Sequence, residues 1–205
     1  MNELIISLPV LIFSVIVHEV AHGWVALRLG DSTAWREGRL TLDPRPHIDP
    51  VMSILVPALC LLSGAPVFGG AKPVPVNPWH FRHPSRDMAL VAAAGPASNL
   101  LLAFAAALLF QVAAPRLFLM EGLLDVLSAL FQINLVLAAF NLLPLPPLDG
   151  SRVLAHLLPD ELGDRFRELD RYGMIIVMVA IIFFRKPLGH YLSWFMSTVG
   201  GWMVS

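Results

Sequence analysis

Apolar residues run through this chain in long blocks, at about 4–29, 51–65, 88–113, 123–143 and 173–203, not in the alternation of a half-buried strand. A helix needs about 20 apolar residues to cross a hydrocarbon core, and four of the blocks are long enough. The pattern predicts an all-α polytopic membrane protein with about five to six transmembrane or re-entrant helical segments. The 51–65 block is short for a span, so it is expected to tilt, to lie in thinned bilayer or to re-enter. Block 173–203 carries Arg185, Lys186 and Pro187, and the missing donor of Pro187 makes it one kinked helix or two short segments. In the loops, Gly38-Arg-Leu-Thr-Leu-Asp43 alternates as a short strand does, and Lys72-Pro-Val-Pro-Val-Asn77 is extended by its prolines. Short β-strand or hairpin elements are therefore expected there. With no internal repeat or soluble insert, residues 1–205 read as a single integral-membrane domain, with a core at about 4–152 and C-terminal membrane segments at about 173–203.

Composition agrees with a membrane solvent. Hydrophobic residues make up 57% of the chain and charged residues 14%, where a soluble domain carries nearer a quarter, and mean hydropathy is +0.70. A net charge of −1 recruits neither nucleic acid nor acidic lipid, so no nucleic-acid partner is expected. Cys60, the single cysteine, excludes an intramolecular disulfide. The first block lacks a basic leading region, so it is expected to direct insertion itself and not to be a cleaved signal. Arg28, Arg36, Arg39 and Arg45 follow it and argue for a cytoplasmic C-terminal end. Arg165, Arg167 and Arg171 compete for the same side.

The chemistry lies inside the first block, where His18-Glu-Val-Ala-His22 puts two imidazoles and a carboxylate at membrane depth. On a helix His18 and His22 share a face, the geometry in which a HExxH segment offers two nitrogens to one zinc ion. Glu19 is then the natural general base for a metal-bound water. The alternative is a polar helix-packing patch, but ionisable groups in mid-membrane cost about 2.5–3.5 kcal/mol each on insertion scales and rarely persist without a partner. A zinc site needs a third protein ligand. Asp149 is the best candidate, in Asn141-Leu-Leu-Pro-Leu-Pro-Pro-Leu-Asp-Gly150, where Pro144, Pro146 and Pro147 end regular helix. By itself Asp149-Gly150 also reads as an ordinary turn beyond the membrane.

Together, HEVAH in a transmembrane block and NLLPLPPLDG after a later one resemble the site-2 protease family of intramembrane zinc metalloproteases. Gly38-Arg-Leu-Thr-Leu-Asp-Pro44, His47-Ile-Asp-Pro50, Ala71-Lys-Pro-Val-Pro-Val-Asn-Pro78 and Gly95-Pro-Ala-Ser-Asn99 extend the resemblance over about residues 10–152. It is to the compact branch without PDZ or CBS domains. The resemblance implies one Zn2+ per chain held by His18, His22 and Asp149, with Glu19 as the catalytic base. It also implies that Asn141 helps to hold the substrate backbone and that Asn99 belongs to the same region, as a substrate-binding residue or as an interhelical hydrogen-bonding group. The implied reaction is hydrolysis of peptide bonds within or near transmembrane helices, in regulated intramembrane proteolysis or in clearance of signal-peptide remnants. The implied partners are a transmembrane protein substrate and the lipid bilayer, and the implied location is a prokaryotic cell (inner) membrane. His47, His80 and His83 match no tight metal spacing and read as solvated loop residues. A metal-ion or proton transporter, or a non-catalytic scaffold of protease descent, would use similar residues. The first should spread polar groups along a conduit, and the second should have lost Glu19 or a ligand.

Overall fold

The computed structural model describes residues 2–63, 69–113 and 121–204. Helix α1, Asn2–Leu29, is the first apolar block continued without interruption. It stops because Gly30 takes φ +113°. The Gly30 amide then bonds to the Leu27 carbonyl and the Asp31 amide to that of Ala26, a Schellman closure that only a residue tolerant of positive φ permits. A single turn, α2 (Thr33–Arg36), and a bent loop follow. Asp49 accepts from the Val51 and Met52 amides and so caps a π-helical stretch, Pro50–Leu55, that runs into α3, Val56–Ser63. Even end to end these two rise only about 21 Å, less than a hydrocarbon core.

An extended segment and one 3-10 turn, Pro78–His80, lead to α4, Pro84–Ala113, and then to α5, Glu121–Asn141. After the proline turn come α6 (Asp149–Leu157), α7 (Asp160–Glu168), a 3-10 turn (Leu169–Tyr172) and α8 (Gly173–Phe183). Helix α9 (Arg185–Phe195), a π turn (Met196–Gly200) and α10 (Gly201–Val204) close the described chain.

Helix α4 is the centre of the bundle, packed on α1, α5 and α6, with α1 also on α5. Its contacts are made by small residues: Ala103, Ala106, Ala107, Ala138 and Ala139 are buried, whereas Leu8, Leu101, Leu108, Leu109 and Ile182 face outward. Lipid tails are as apolar as leucine, so nothing drives the large side chains inward, and small ones let helix backbones approach. Against Leu135 and Ala139 of α5, Phe195 and Tyr191 of α9 complete one core cluster, and the Tyr191 hydroxyl donates to the Ala139 carbonyl at 3.1 Å.

One expectation is corrected. No β-strand occurs among the described residues. In Gly38–Asp43 the Arg39 amide returns to the Ala34 carbonyl and the Thr41 hydroxyl takes the Asp43 amide, so local bonds win over a ladder. Residues 72–77 are extended, as the prolines require, but unpaired with any strand. Pro73 and Pro75 have no N–H, the Lys72 amide bonds to the His47 carbonyl, and the Val74 amide bonds to Glu19. Among the described residues three helices are long and apolar enough to cross a membrane, Leu4–Leu29, Pro84–Val112 and Gly122–Asn141, with a fourth span if the pair bent by 89° at Phe184 counts as one, and Pro50–Cys60 is a shorter apolar helix. The break falls before Pro187, which sits in the first turn of α9 where its missing donor costs nothing.

Candidate metal centre

Ser14, His18 and His22 recur every four residues along α1, and Val91, Gly95 and Asn99 recur at the same spacing along α4. These two faces meet. A Cβ on Gly95 would lie 2.5 Å from Cε1 and Nε2 of His18 and from Cε1 of His22, so the backbone of α4 passes directly against the two rings. One turn to either side, α4 holds the far edge of each ring. His22 Nδ1 donates to the Val91 carbonyl at 2.7 Å, and His18 Nδ1 lies 2.6 Å from the Asn99 carboxamide oxygen.

A carbonyl can only accept, so His22 Nδ1 carries a proton, and in the neutral imidazole its Nε2 then carries a lone pair. The same holds for His18 facing an amide oxygen. The two Nε2 atoms are nevertheless 3.0 Å apart. Asp149 closes the triangle, with Oδ2 at 3.1 Å from His18 Nε2 and Oδ1 at 3.4 Å from His22 Nε2. With both imidazoles neutral, three groups rich in electron pairs converge with no hydrogen between them, and Asp149 Oδ2 is buried without a hydrogen-bond partner. Such an arrangement repels itself unless a cation sits within it. The ligand atoms lie within 4.8 Å of one another, and a tetrahedral zinc ion about 2.0–2.1 Å from nitrogen would set them about 3.3 Å apart. The donor set, two imidazoles and one carboxylate, is that of an open zinc site.

Asp149 is delivered by the proline turn. Leu142 and Leu143 fold back onto the Ala138 and Phe140 carbonyls, and Leu148 bonds to Leu145, which ends α5 and starts α6. Asp149 stands in the first turn of α6, where the helix dipole favours a carboxylate. A Cβ on Gly150 would overlap the Leu142 and Leu143 carbonyls, so only glycine allows the turn to close this tightly. From behind, Gly173 at the start of α8 packs on the Pro147 ring.

Glu19 lies outside the ligand triangle. Its Oε2 accepts from the Val74 amide at 2.7 Å, and the Val74 side chain packs where a Cβ on Gly23 would be, one turn along the same face. The segment carrying Val74 is pinned at both ends. Arg39 donates to the Lys72 carbonyl at 2.7 Å, and the Asn77 amide donates to Asp31 Oδ2 at 2.7 Å. Fully buried, Asp31 also accepts from the Thr33 amide and hydroxyl and pairs with His80. Burial pushes its carboxyl up, but the bonds from His80, Thr33 and Asn77 outweigh that and hold it below the ordinary carboxylate range.

Asn141 ends α5 and donates to the Leu137 carbonyl. Of the loop histidines His47 is not solvated, being 2% exposed and bonded to the Thr41 carbonyl, whereas His80 and His83 are exposed, His80 also pairing with Asp31. Two residues absent from the motif reading, Asn134 and Ser14, also belong to the site. Asn99 donates to Asn134, which donates in turn to Ser14. Their sequence signal is a carboxamide and a hydroxyl in the middle of apolar spans.

Residues 112–184 match the model of Peptidase family M50, a stretch that includes Asp149. Three relatives bear the name "Putative zinc metalloprotease". YwhC of Bacillus subtilis (strain 168) is 42% identical over 93% of this chain and 84% of its own length. Rip2 of Mycolicibacterium smegmatis is 31% identical over 83% of this chain and 64% of its own length. MJ0611 of Methanocaldococcus jannaschii is 30% identical over 73% and 69%. No solved structure matches the chain.

Proposed function

From the premise that the chain belongs to peptidase family M50, the site-2 protease family of zinc metalloproteases, we propose that His18, His22 and Asp149 hold one zinc ion while Glu19 moves the protons of peptide hydrolysis. The protein is an integral, multi-pass zinc metalloendopeptidase of a prokaryotic membrane. The observation that supports the ligand assignment is the convergence of the two Nε2 atoms and the Asp149 carboxylate while both Nδ1 atoms face oxygen acceptors.

When bound, zinc supplies a Lewis acid for the scissile carbonyl and brings the pKa of a water towards about 7. The chain's own groups do the rest. The Val74 amide fixes Glu19 Oε2, which leaves Oε1 to take the proton of the attacking water and return it to the leaving amine. Asn99 holds His18 by Nδ1, which favours a positioning role for it over substrate contact. Asn141, at the lip of the turn that carries Asp149, takes the substrate backbone. Residues 4–152 act as the catalytic core and 173–203 brace it through Gly173 and Tyr191, so the chain works as one unit. The substrate is a transmembrane protein reached from the bilayer and cleaved within or near its helix. A transport conduit fits less well, because Ser14, Asn99 and Asn134 are fully buried and hydrogen-bonded to one another, with no exposure to a water path.

The test is metal content together with cleavage of a model transmembrane substrate by detergent-purified protein. Glu19→Gln is expected to keep about one zinc per chain and to lose cleavage by a factor of about a thousand or more. His18→Ala/His22→Ala should lose both. Cleavage by Glu19→Gln at the wild-type rate would remove the base from the mechanism.

A further inference from the structure

The hydrogen bonds behind His18 form a directional chain through three helices, from α1 to α4 to α5 and back to Ser14 of α1. Asn134 Nδ2 donates to the Leu130 carbonyl of its own helix at 2.8 Å and to Ser14 Oγ at 2.8 Å. Leu130 offers only an acceptor, so that carboxamide cannot be turned round without setting two oxygens against each other. Its Oδ1 must therefore face Asn99, whose Nδ2 donates to it at 2.8 Å. Asn99 Oδ1 is then left for His18 Nδ1 at 2.6 Å, and His18 stands one turn after Ser14 on α1. Every member is buried, with Ser14, Asn99 and Asn134 at 0% exposure.

An amide carries a donor and an acceptor of nearly equal shape, so Asn99 alone does not determine which of them meets the ring. Turned round, it would donate to His18 Nδ1, put the imidazole proton on Nε2 and so block the ligand atom. We infer that Asn134, seated by the Leu130 carbonyl and Ser14, is a positioning residue that fixes the orientation of Asn99 and through it the metal-binding tautomer of His18. The inference rests on the reading of His18 as a zinc ligand. Groups behind a ligating histidine typically change metal affinity about 10–100-fold.

The test uses the full chain in detergent, zinc ion as the probe and a chromophoric chelator as competitor. Asn134→Leu is expected to weaken zinc about tenfold. Asn99→Asp in the Asn134→Leu background should restore affinity to within about a factor of two, because a carboxylate has no donor to turn towards His18. Cobalt(II) absorption spectra of the same variants should follow the same order. Wild-type affinity in Asn134→Leu, or a double variant no tighter than the single, would overturn the inference. A measurement independent of variant folding is the 15N spectrum of histidine-labelled wild type at a pH where imidazoles are neutral. His18 should carry its proton on Nδ1 with or without zinc, and a proton on Nε2 in the metal-free protein would overturn it. If wild type bound no zinc while folded, the ligand reading itself would fall. If wild type bound zinc, His18→Ala did not and Asn134→Leu bound as wild type does, the positioning role of Asn134 alone would be refuted.

Discussion

The two halves of the site are built from different materials. The ligand half is helix on helix: α1 supplies the imidazoles, the Val91, Gly95 and Asn99 face of α4 receives them, and Asp149 is presented on the first turn of α6. The base half is helix on loop, since Glu19 is oriented by one backbone amide, that of Val74, in a segment held by Arg39 and Asp31. Buried helix pairs leave a side chain little freedom, whereas loops sit at the low end of local stability. Metal holding and proton transfer should therefore be separable by mutation, although His18 and Glu19 are adjacent in sequence.

The largest effect that would sharpen this contrast is expected from Gly95→Ala. A methyl group 2.5 Å from both rings can be accommodated only by turning the rings aside or moving α1 from α4, so zinc affinity should fall by more than about a hundredfold and cleavage with it. Chelator competition checks this, and wild-type affinity would show that the helix contact is not what shapes the ligand pair. A smaller effect, on the other half alone, is expected from Val74→Pro. The segment is already proline-rich, so the change removes the donor to Glu19 and puts an apolar ring in place of the side chain that packs on Gly23. A hydrogen bond to a charged group contributes about 1.5–3 kcal/mol, so kcat should drop about ten- to a hundredfold while zinc affinity stays within about twofold. If the two fell together, the halves would be one mechanical unit and the comparison would fail.

The same division decides what could be read from the chain. His18, Glu19 and His22 lie within one helical turn, so their relation is visible in sequence spacing alone. Asp149 was marked by prolines that must end a helix, although its approach to His18 from far along the chain is a property of packing. The apolar blocks corresponded to α1, α4 and α5, whereas α8 and α9 were ambiguous because Pro187 could bend a helix but in the structure only opens one. The loop strands were misread because alternation reports which side chains face in, and is silent on where each N–H goes. Here they go to Ala34, to His47 and to a glutamate on another element. Asn134 follows no motif, and only its position in mid-span distinguished it.

The smallest effect concerns the far anchor of the Val74 segment. Asp31→Asn keeps the shape of the buried side chain but removes the charge that accepts from Thr33, Asn77 and His80. The expected loss is about 2 kcal/mol of stability and about two- to threefold in kcat, with zinc affinity unchanged. Because the folded carboxyl is held below its ordinary value, its contribution is fully present above the unfolded pKa of about 4 and is lost as pH falls through the lower folded value. The gap in thermal stability between wild type and Asp31→Asn should thus be constant from about pH 8 to 5 and should close below about pH 4. A gap that widened in acid would mean that Asp31 is held protonated in the folded protein. The anchor would then be a neutral hydrogen bond, and the base half of the site would be tied to α1 more loosely than its geometry implies.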